Sequence, residues 1–461
     1  MTHFCVHCHF YQPPRGDPFV VDGLGPEPGA QPYQNFSEKA AATCYRPNAE
    51  LGNFELMSFN IGATLLRWMQ HESPDTFAAI IAADRAHRER WGVGNAIAVP
   101  QHHTILPLAR QRDKITQIAW GLASFAHRFG RPAEGVWLPE MAVDLETLDI
   151  LASRGVQFTI LGGEQVIGAD RGGGPYWVKL TAGRQIAVFV RDDFLSNQIA
   201  FELPALGGAG RWARGTLGPH KKTGGRLTLI ATEGETFGHY HRGEEHFLRW
   251  LLSYEAHAVG YEVTTLVRDL RDHPPEAQVE IKEFTSWNCP HGQLRRWATG
   301  CDCTSGDSRW KGALRRALDN LASGVDEVFL SEAAPLGVEP WTLRDDYARV
   351  VVGEVADGQS LLREYGFGHL SEPQTGRIVT LLEAGFFRQR MYNSYAFFHE
   401  DLNQPEPRFA IANGVKAAML VERAAGQGLI PSFRRDLAMA AASDGRSGAD
   451  ILDEILAENR A

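Results

Sequence analysis

Arg226–His241, RLTLIATEGETFGHYH, is the stretch from which the rest of the chain can be read. It opens as a short apolar run rich in β-formers, Leu227, Leu229 and Ile230, which suits a strand buried on both faces. Its character then changes without a turn signal: Glu233, Glu235 and His239 crowd into seven residues, with Gly234 and Gly238 between them. On an extended chain Glu233 and Glu235 would share one side, because side chains alternate with period two. An amphipathic helix is expected to follow, from about His241 to Ala258. A core strand that ends in two acids and a histidine and feeds a helix is the pattern of an active-site strand end in a parallel β/α barrel. The bland alternative is a solvated loop whose acids only repel each other.

Upstream, the same alternation repeats. His3–Phe10 reads as a strand ending in His7 and His9, followed by a Pro/Gly-rich loop from Pro13 to Pro32. Strands are expected at 54–61, 96–100, 135–138, 158–161, 186–190 and 262–266, with helices carrying Leu65, Leu66 and Met69, then at 76–90, 107–129 and 145–153. The pattern between Trp177 and Phe201 reads as β. Repeated units of this length imply parallel strands with right-handed crossovers. Polar clusters recur at the C-terminal strand ends: His7 and His9, Gln101-His102-His103, Glu140, Gly162-Gly163-Glu164, Arg191-Asp192-Asp193 and Glu233. That is where β/α barrels place their chemistry. After about residue 305 strand signals fade. Helical periodicity takes over at 310–322, 341–355, 376–398, 409–425 and 444–461. The expected organisation is therefore a barrel over 1–305 and an α-helical domain packed on it over 306–461.

Composition bounds the partners. A chain of 461 residues with 44% hydrophobic and 22% charged residues is ordinary for a globular protein of more than one domain. A net charge of −10 argues against nucleic acid or an anionic membrane as the main partner. No apolar run approaches the ~20 residues of a membrane span. The first residues, MTHFCVHCHFYQPP, lack a basic segment followed by an apolar core, so no signal peptide is expected. Six cysteines are too few for a disulfide scaffold, so a reduced, cytoplasmic setting is expected. Oligomeric state is open.

His7-Cys8-His9 puts two imidazoles on one face of a strand, as metal-dependent hydrolases present their first ligands; His102, His103, Asp192, Asp193 and His239 could add more. The alternative is that these histidines hydrogen-bond the neighbouring loop. Gly135-Val-Trp-Leu-Pro-Glu140 sets Trp137 beside a carboxylate, an apolar wall with a charged tip. That suits a platform under a sugar and a nucleophile beneath its anomeric carbon. Glu140 with Glu233 or Glu235 makes the carboxylate pair that glycoside cleavage requires.

In motif order the chain resembles glycoside hydrolase family 57, and within it the subgroup whose C-terminal part is a domain of unknown function. The motifs are His7, His9, Gln12 and Pro13; Gln101–Leu108; Trp137-Leu138-Pro139-Glu140; and Glu233-Gly-Glu235-Thr-Phe-Gly-His239. Arg191–Ser196 resembles the segment before the fourth motif, and the region of Trp287 a fifth; Arg390–Asp401 matches more loosely. The resemblance implies a seven-stranded, distorted TIM-like barrel with a helical C-terminal domain. It also implies a retaining, metal-independent attack on α-glucosidic bonds, by hydrolysis or transglycosylation, with Glu140 as nucleophile. The family's acid/base is an aspartate; Glu233 stands in its place. No cofactor is expected, and the partner is α-glucan or maltooligosaccharide. His7, His9, His103, Asp193, Glu235 and His239 would bind sugar hydroxyls. Trp137, Trp287 and Tyr392 or Phe397 would stack on rings.

Two rival classes remain at this point: a metal-dependent hydrolase of deacetylase or amidohydrolase type, and a catalytically silent glucan-binding protein. Separately, Cys289, His291, Cys301 and Cys303 lie within fifteen residues and are a weak zinc candidate, since Cys-x11-Cys-x-Cys is not a common finger spacing. Buried packing cysteines are the alternative.

Overall fold

In a computed structural model of the chain, residues 2–14, 16–20, 25–169 and 172–459 are described. The chain divides into two compact units. One comprises residues 1–14, 24–101 and 128–288; the other comprises 15–23, 102–127 and 289–461.

The first unit is built outward from β1 (His3–Phe10), all eight residues of which are buried. Strands covered on both faces read as continuous apolar runs, and here the apolar positions Phe4, Val6 and Phe10 are joined by histidines and cysteines instead. On one side β1 pairs in parallel with β2 (Ser58–Ile61), which pairs with β3 (Ala96–Ile97). A separate sheet pairs β4 (Phe158–Gly162) with β5 (Gln185–Arg191), parallel from Phe158↔Ala187 to Gly162↔Arg191. On the other side of β1 lies β6 (Leu227–Glu233), in register from His3↔Leu227 to His9↔Glu233. The short β7 (Glu262–Val263) pairs with the first residues of β1. The stretch 135–137 bridges β3 and β4 through single parallel contacts, Ala98↔Val136 and Gly135↔Phe158. A Cβ on Gly135 would lie 2.4 Å from the Phe158 ring, so only glycine permits this approach. Between β5 and β6, the Asp192 amide donates to the Leu229 carbonyl at 2.7 Å.

The core follows the period of two. Leu227, Leu229 and Ala231 from β6 meet Phe158, Ile160, Ala187, Phe189, Cys5 and Ile97 in one cluster that also holds Trp137 and Met141. The strand ends therefore carry His9, Arg191 and Glu233 to one edge of the parallel array.

Several expectations are corrected. The 135–138 segment makes only those isolated bridges, because Pro139 and the turn after it break the ladder. Residues 193–202 form a helix (Asp193–Glu202), not β structure, because Asp192 caps it by accepting the Leu195 amide at 2.9 Å. Tyr176–Lys179 runs antiparallel to β5, so the sheet of β4 and β5 is mixed and not wholly parallel. The helix expected from His241 begins at Glu245 and runs on to Ala258. Phe36–Glu50, which has no clear amphipathic signature, is helical throughout. Of the 13–32 loop the described part has no helix or strand; residues 15 and 21–24 lie outside the description.

The second unit is helical: Trp310–Ala333, Glu372–Arg390, Pro405–Ala425, Ile430–Leu437 and Gly448–Glu458 are its main later helices. The expected terminal helix of 444–461 starts later, capped by Ser447, and residues 460 and 461 lie outside the description. The unit holds a largely buried ion network. Arg388 bridges Asp113 at 2.7 Å and Asp326 at 2.6 Å, and Arg344 reaches both at 3.2 Å.

Candidate functional site

Glu140 is delivered by an unusual piece of backbone. Leu138 is extended, Pro139 opens a tight turn, and Glu140 (φ 58°) and Met141 (φ 49°) are both left-handed. Such conformations cost on the order of 1–3 kcal/mol each in a residue with a Cβ and persist where surrounding structure holds them. The carboxylate is held too: Asn288 Nδ2 donates to Oε2 at 2.6 Å and Trp287 Nε1 donates to the same oxygen at 3.1 Å. The Trp287 amide donates to the Glu140 carbonyl at 3.3 Å, so residues 287–288 run across the turn.

Glu233 ends β6 beside His9 and is half-buried. Burial raises its carboxyl well above the usual range, and the charges of Glu235 and then Glu140 raise it further. The neutral form of Glu233 is thus favoured by burial and by two acidic neighbours. The period-two reasoning that placed Glu235 beside it fails, because the chain leaves the strand at Gly234 for a turn, Gly234–Thr236. A Cβ on Gly234 would lie 2.3 Å from the Phe10 ring, which is what lets the turn fold so closely. Glu235 is buried and accepts from Gln12 Nε2 at 3.0 Å, from Tyr240 at 3.2 Å and from the Tyr45 hydroxyl. Three donors suit an ionised carboxylate. Two neighbouring acids therefore sit in different surroundings, Glu233 desolvated and Glu235 ringed by donors.

Beneath them lies a stack of rings. His7 and His9 lie flat against Trp137, with centroids at 5.1 and 4.8 Å and planes within 13°. Trp287 meets Trp137 edge-on at 5.2 Å. Trp137 is 0% exposed, so it has no face left for a sugar; it supports the histidines instead, a correction to its expected role. Asn60 joins the histidines: its Oδ1 lies 3.0 Å from His7 Nε2 and its Nδ2 donates to His9 Nδ1 at 2.8 Å. That arrangement assigns the His9 proton to Nε2. His7 is fully buried, with Nδ1 3.2 Å from Ser58 Oγ, and burial brings its imidazole down to about 3, so it stays neutral. It positions His9 and is not open to a ligand.

Asp193 accepts from Arg191 Nε at 2.6 Å and from the Glu164 amide at 3.2 Å. It thereby holds Arg191, whose guanidinium lies over the Trp287 ring at 5.1 Å. His239 is half-buried, with Nδ1 3.2 Å from Thr43 Oγ1. His103 belongs to the second unit. It is left-handed (φ 54°), its Nδ1 is 2.7 Å from Ser394 Oγ, and burial lowers its imidazole to about 3. In that unit Tyr392 binds Asp319 at 2.6 Å and Phe397 is 0% exposed, so neither presents an open ring for stacking. All the other predicted sugar-site residues, Glu140, Glu233, Glu235, His7, His9, Trp137, Asp193, His239 and Trp287, belong to the first unit. Sequence reasoning missed Tyr45, Asn60 and Asn288. Asn288 follows Trp287 directly and could have been noticed; nothing in sequence marks the other two.

Among the described residues, two groups of three or more His, Cys, Asp or Glu bring donor atoms together: Cys289, His291, Cys301 and Cys303; and His3, Asp269 and His273. Neither contains a strand-end histidine of the metal-hydrolase reading. In the second group Arg226 forms a two-pronged ion pair with Asp269, at 2.7 Å on each oxygen, and so supplies the positive charge itself.

A model described as glycosyl hydrolase family 57 matches residues 29–282, more than half the chain. A second, described as a domain of unknown function (DUF3536), matches residues 307–459. An α-amylase of Pyrococcus abyssi is 24% identical over 237 residues, 49% of this chain and 32% of that protein. A 4-α-glucanotransferase of Thermococcus litoralis is 27% identical over 181 residues, 37% of this chain and 26% of that protein. The chain thus spans under a third of these curated relatives. The crystal structure of an exo-type maltose-forming amylase from Pyrococcus sp. ST04 superposes with a TM-score of 0.75 at 15% identity, covering 99% of this chain and 88% of that one. The shared fold is mixed α/β.

Proposed function

This chain belongs to glycosyl hydrolase family 57, and on that premise we propose that it is a retaining glycoside hydrolase or transglycosylase acting on α-linked glucan. The observation that carries the reading is the contrast between the two acids. Glu140 is pinned by two donors on one oxygen, and burial and acidic neighbours raise the Glu233 carboxyl well above its usual range. A nucleophile must be ionised and aimed, and a leaving-group acid must hold its proton near neutrality.

The cycle follows from these states. Glu140 attacks the anomeric carbon while Glu233 gives its proton to the departing glycosidic oxygen. Once Glu140 is esterified its charge is gone, and one of the causes that raised Glu233 goes with it. Glu233 becomes a weaker proton-holder at the moment it must act as base toward water or an acceptor sugar. Glu235, held by donors from Gln12, Tyr45 and Tyr240, stays fixed throughout and maintains the pressure on Glu233. His9, with its Nε2 proton set by Asn60, serves the sugar hydroxyls.

The same proposal takes the chain of parallel pairings from β6 through β1, β2, β3, 135–137, β4 and β5 as a distorted seven-stranded barrel, supported by the Asp192–Leu229 hydrogen bond that returns to β6. It keeps the division near residue 305, a cytoplasmic setting and an α-glucan partner. Product analysis after incubation with maltooligosaccharides and amylose tests it, with Glu140→Gln in parallel. Turnover should vanish in the variant, aryl glycosides included. Wild-type-like turnover by Glu140→Gln, with contamination excluded, would remove Glu140 from the role.

A further inference from the structure

We propose that Cys289, His291, Cys301 and Cys303 hold one zinc ion with a structural role. Cys289 and Cys301 are buried, Cys303 is half-buried and His291 is exposed, and all four donor atoms lie within 4.8 Å of one another. The sulfur separations are 3.7 Å for 289–301, 3.5 Å for 301–303 and 3.8 Å for 303–289. Tetrahedral zinc–thiolate bonds of ~2.3 Å place sulfurs about 3.8 Å apart, so the triangle of sulfurs already has the size of a coordinated one. His291 Nδ1 caps that triangle, 3.2 Å from Cys301 Sγ and 3.1 Å from Cys303 Sγ. A disulfide would draw one pair of sulfurs to ~2.05 Å and leave the third unpaired; here the three separations are nearly equal.

The surrounding chain is shaped to this cluster. The Cys301 amide donates to Ser308 Oγ at 3.1 Å and the Cys301 carbonyl accepts from Thr304 Oγ1 at 2.9 Å, which orients the central thiol. The two Cys-x-His and Cys-x-Cys arms are short, and each contributes two donors from one turn of chain, so closing the site joins residues 289–291 to 301–303. Three thiolates and one imidazole suit zinc over harder cations. A full complement of protein donors leaves no open position for substrate, so the metal would not enter the glycosidase chemistry. The His3–Asp269–His273 group gives the contrast: its carboxylate is already matched by Arg226.

The test uses the full chain, purified without chelator from zinc-supplemented cells. Elemental analysis should find about one zinc per chain. Cys301→Ser/Cys303→Ser should lose it, and His273→Ala should keep it. Because the double variant could fail to fold, His291→Ala, which changes an exposed ligand, is measured as well. It should release zinc to a chromophoric chelator at least tenfold faster than wild type. Wild type stripped and reloaded with cobalt(II) should show thiolate-to-cobalt charge transfer and intense tetrahedral visible bands. Substoichiometric zinc with no cobalt spectrum would overturn the assignment. So would a disulfide among these cysteines in peptide mass analysis, or zinc retained by the double variant.

Discussion

On the proposed mechanism, Asn288→Ala should separate the two chemical steps. Asn288 gives Glu140 Oε2 its shorter hydrogen bond, 2.6 Å against 3.1 Å from Trp287. A hydrogen bond to a charged group is worth about 1.5–3 kcal/mol net. It stabilises the free carboxylate and not the ester, because the ester oxygen no longer carries the charge. Removing it should shift the balance between free enzyme and glycosyl-enzyme toward the glycosyl-enzyme by about 13- to 160-fold. If half of the charge is regained at the deglycosylation transition state, that step slows by about 4- to 13-fold, and the attack speeds up by the same factor. Trp287 keeps the carboxylate tethered in the variant, so loss of aim is limited. The assay is rapid-mix kinetics with an aryl α-glycoside of good leaving group, beside intact-mass detection of the adduct. A larger burst, a slower steady state and an accumulating glycosyl adduct are expected. An equal fall in both steps, or a steady state within twofold of wild type, would refute the assignment of this bond to the nucleophile's charge.

Other outcomes follow from the same structure. Glu233→Ala should damage glucan cleavage far more than the first step on an activated aryl glycoside, with azide restoring deglycosylation as a glycosyl azide of retained configuration. If Glu235→Ala behaves that way instead, the acid is Glu235. Since an acid works protonated, kcat/KM should fall as pH rises through the raised range of Glu233. Glu235→Gln removes one charge that raises it, so the alkaline limb should move to lower pH; an unmoved limb would assign it to another group. In the second unit, Arg388→Met takes one of the two arginines from Asp113 and Asp326 and should cost about 3–5 kcal/mol in urea unfolding. Burial pushes Asp113 up, but Arg388 and Arg344 outweigh it and hold the carboxyl below its usual range. That contribution is complete above the unfolded value of ~3.9 and is lost as pH falls below it, so the gap between variant and wild type should narrow in acid.

What could be read in advance depended on how local the signal was. His3–Phe10 and Leu145–Ser153 follow from hydrophobic period alone and fall where their periods place them. The segment Asp193–Glu202 misleads because Phe194, Ile199 and Phe201 carry β propensity, while the decisive element is a single cap at Asp192. Glu140 could be picked out as the carboxylate after a Trp-Leu pair, yet its left-handed backbone could not. The different surroundings of Glu233 and Glu235 rest in part on Tyr45, nearly two hundred residues away, on a helix without a clear apolar stripe. Trp137 illustrates the opposite failure. A tryptophan beside a catalytic carboxylate suggests a sugar platform, and only three-dimensional packing reveals that two histidines already occupy it.

The backbone at Glu140 bears on how such a site persists through descent. A glycine or asparagine would adopt φ 58° with less strain, and either would remove a charge that opposes ionisation of Glu233. The backbone strain therefore favours drift away from glutamate at position 140; the hydrogen bonds from Asn288 and Trp287 and, on the proposed mechanism, selection for turnover oppose it. A lineage that ceased to use the site should lose this side chain early, while the ring stack on Trp137, which the core itself needs, would outlast it. The identity of residue 140 in a divergent copy is thus a record of whether its chemistry was still in use.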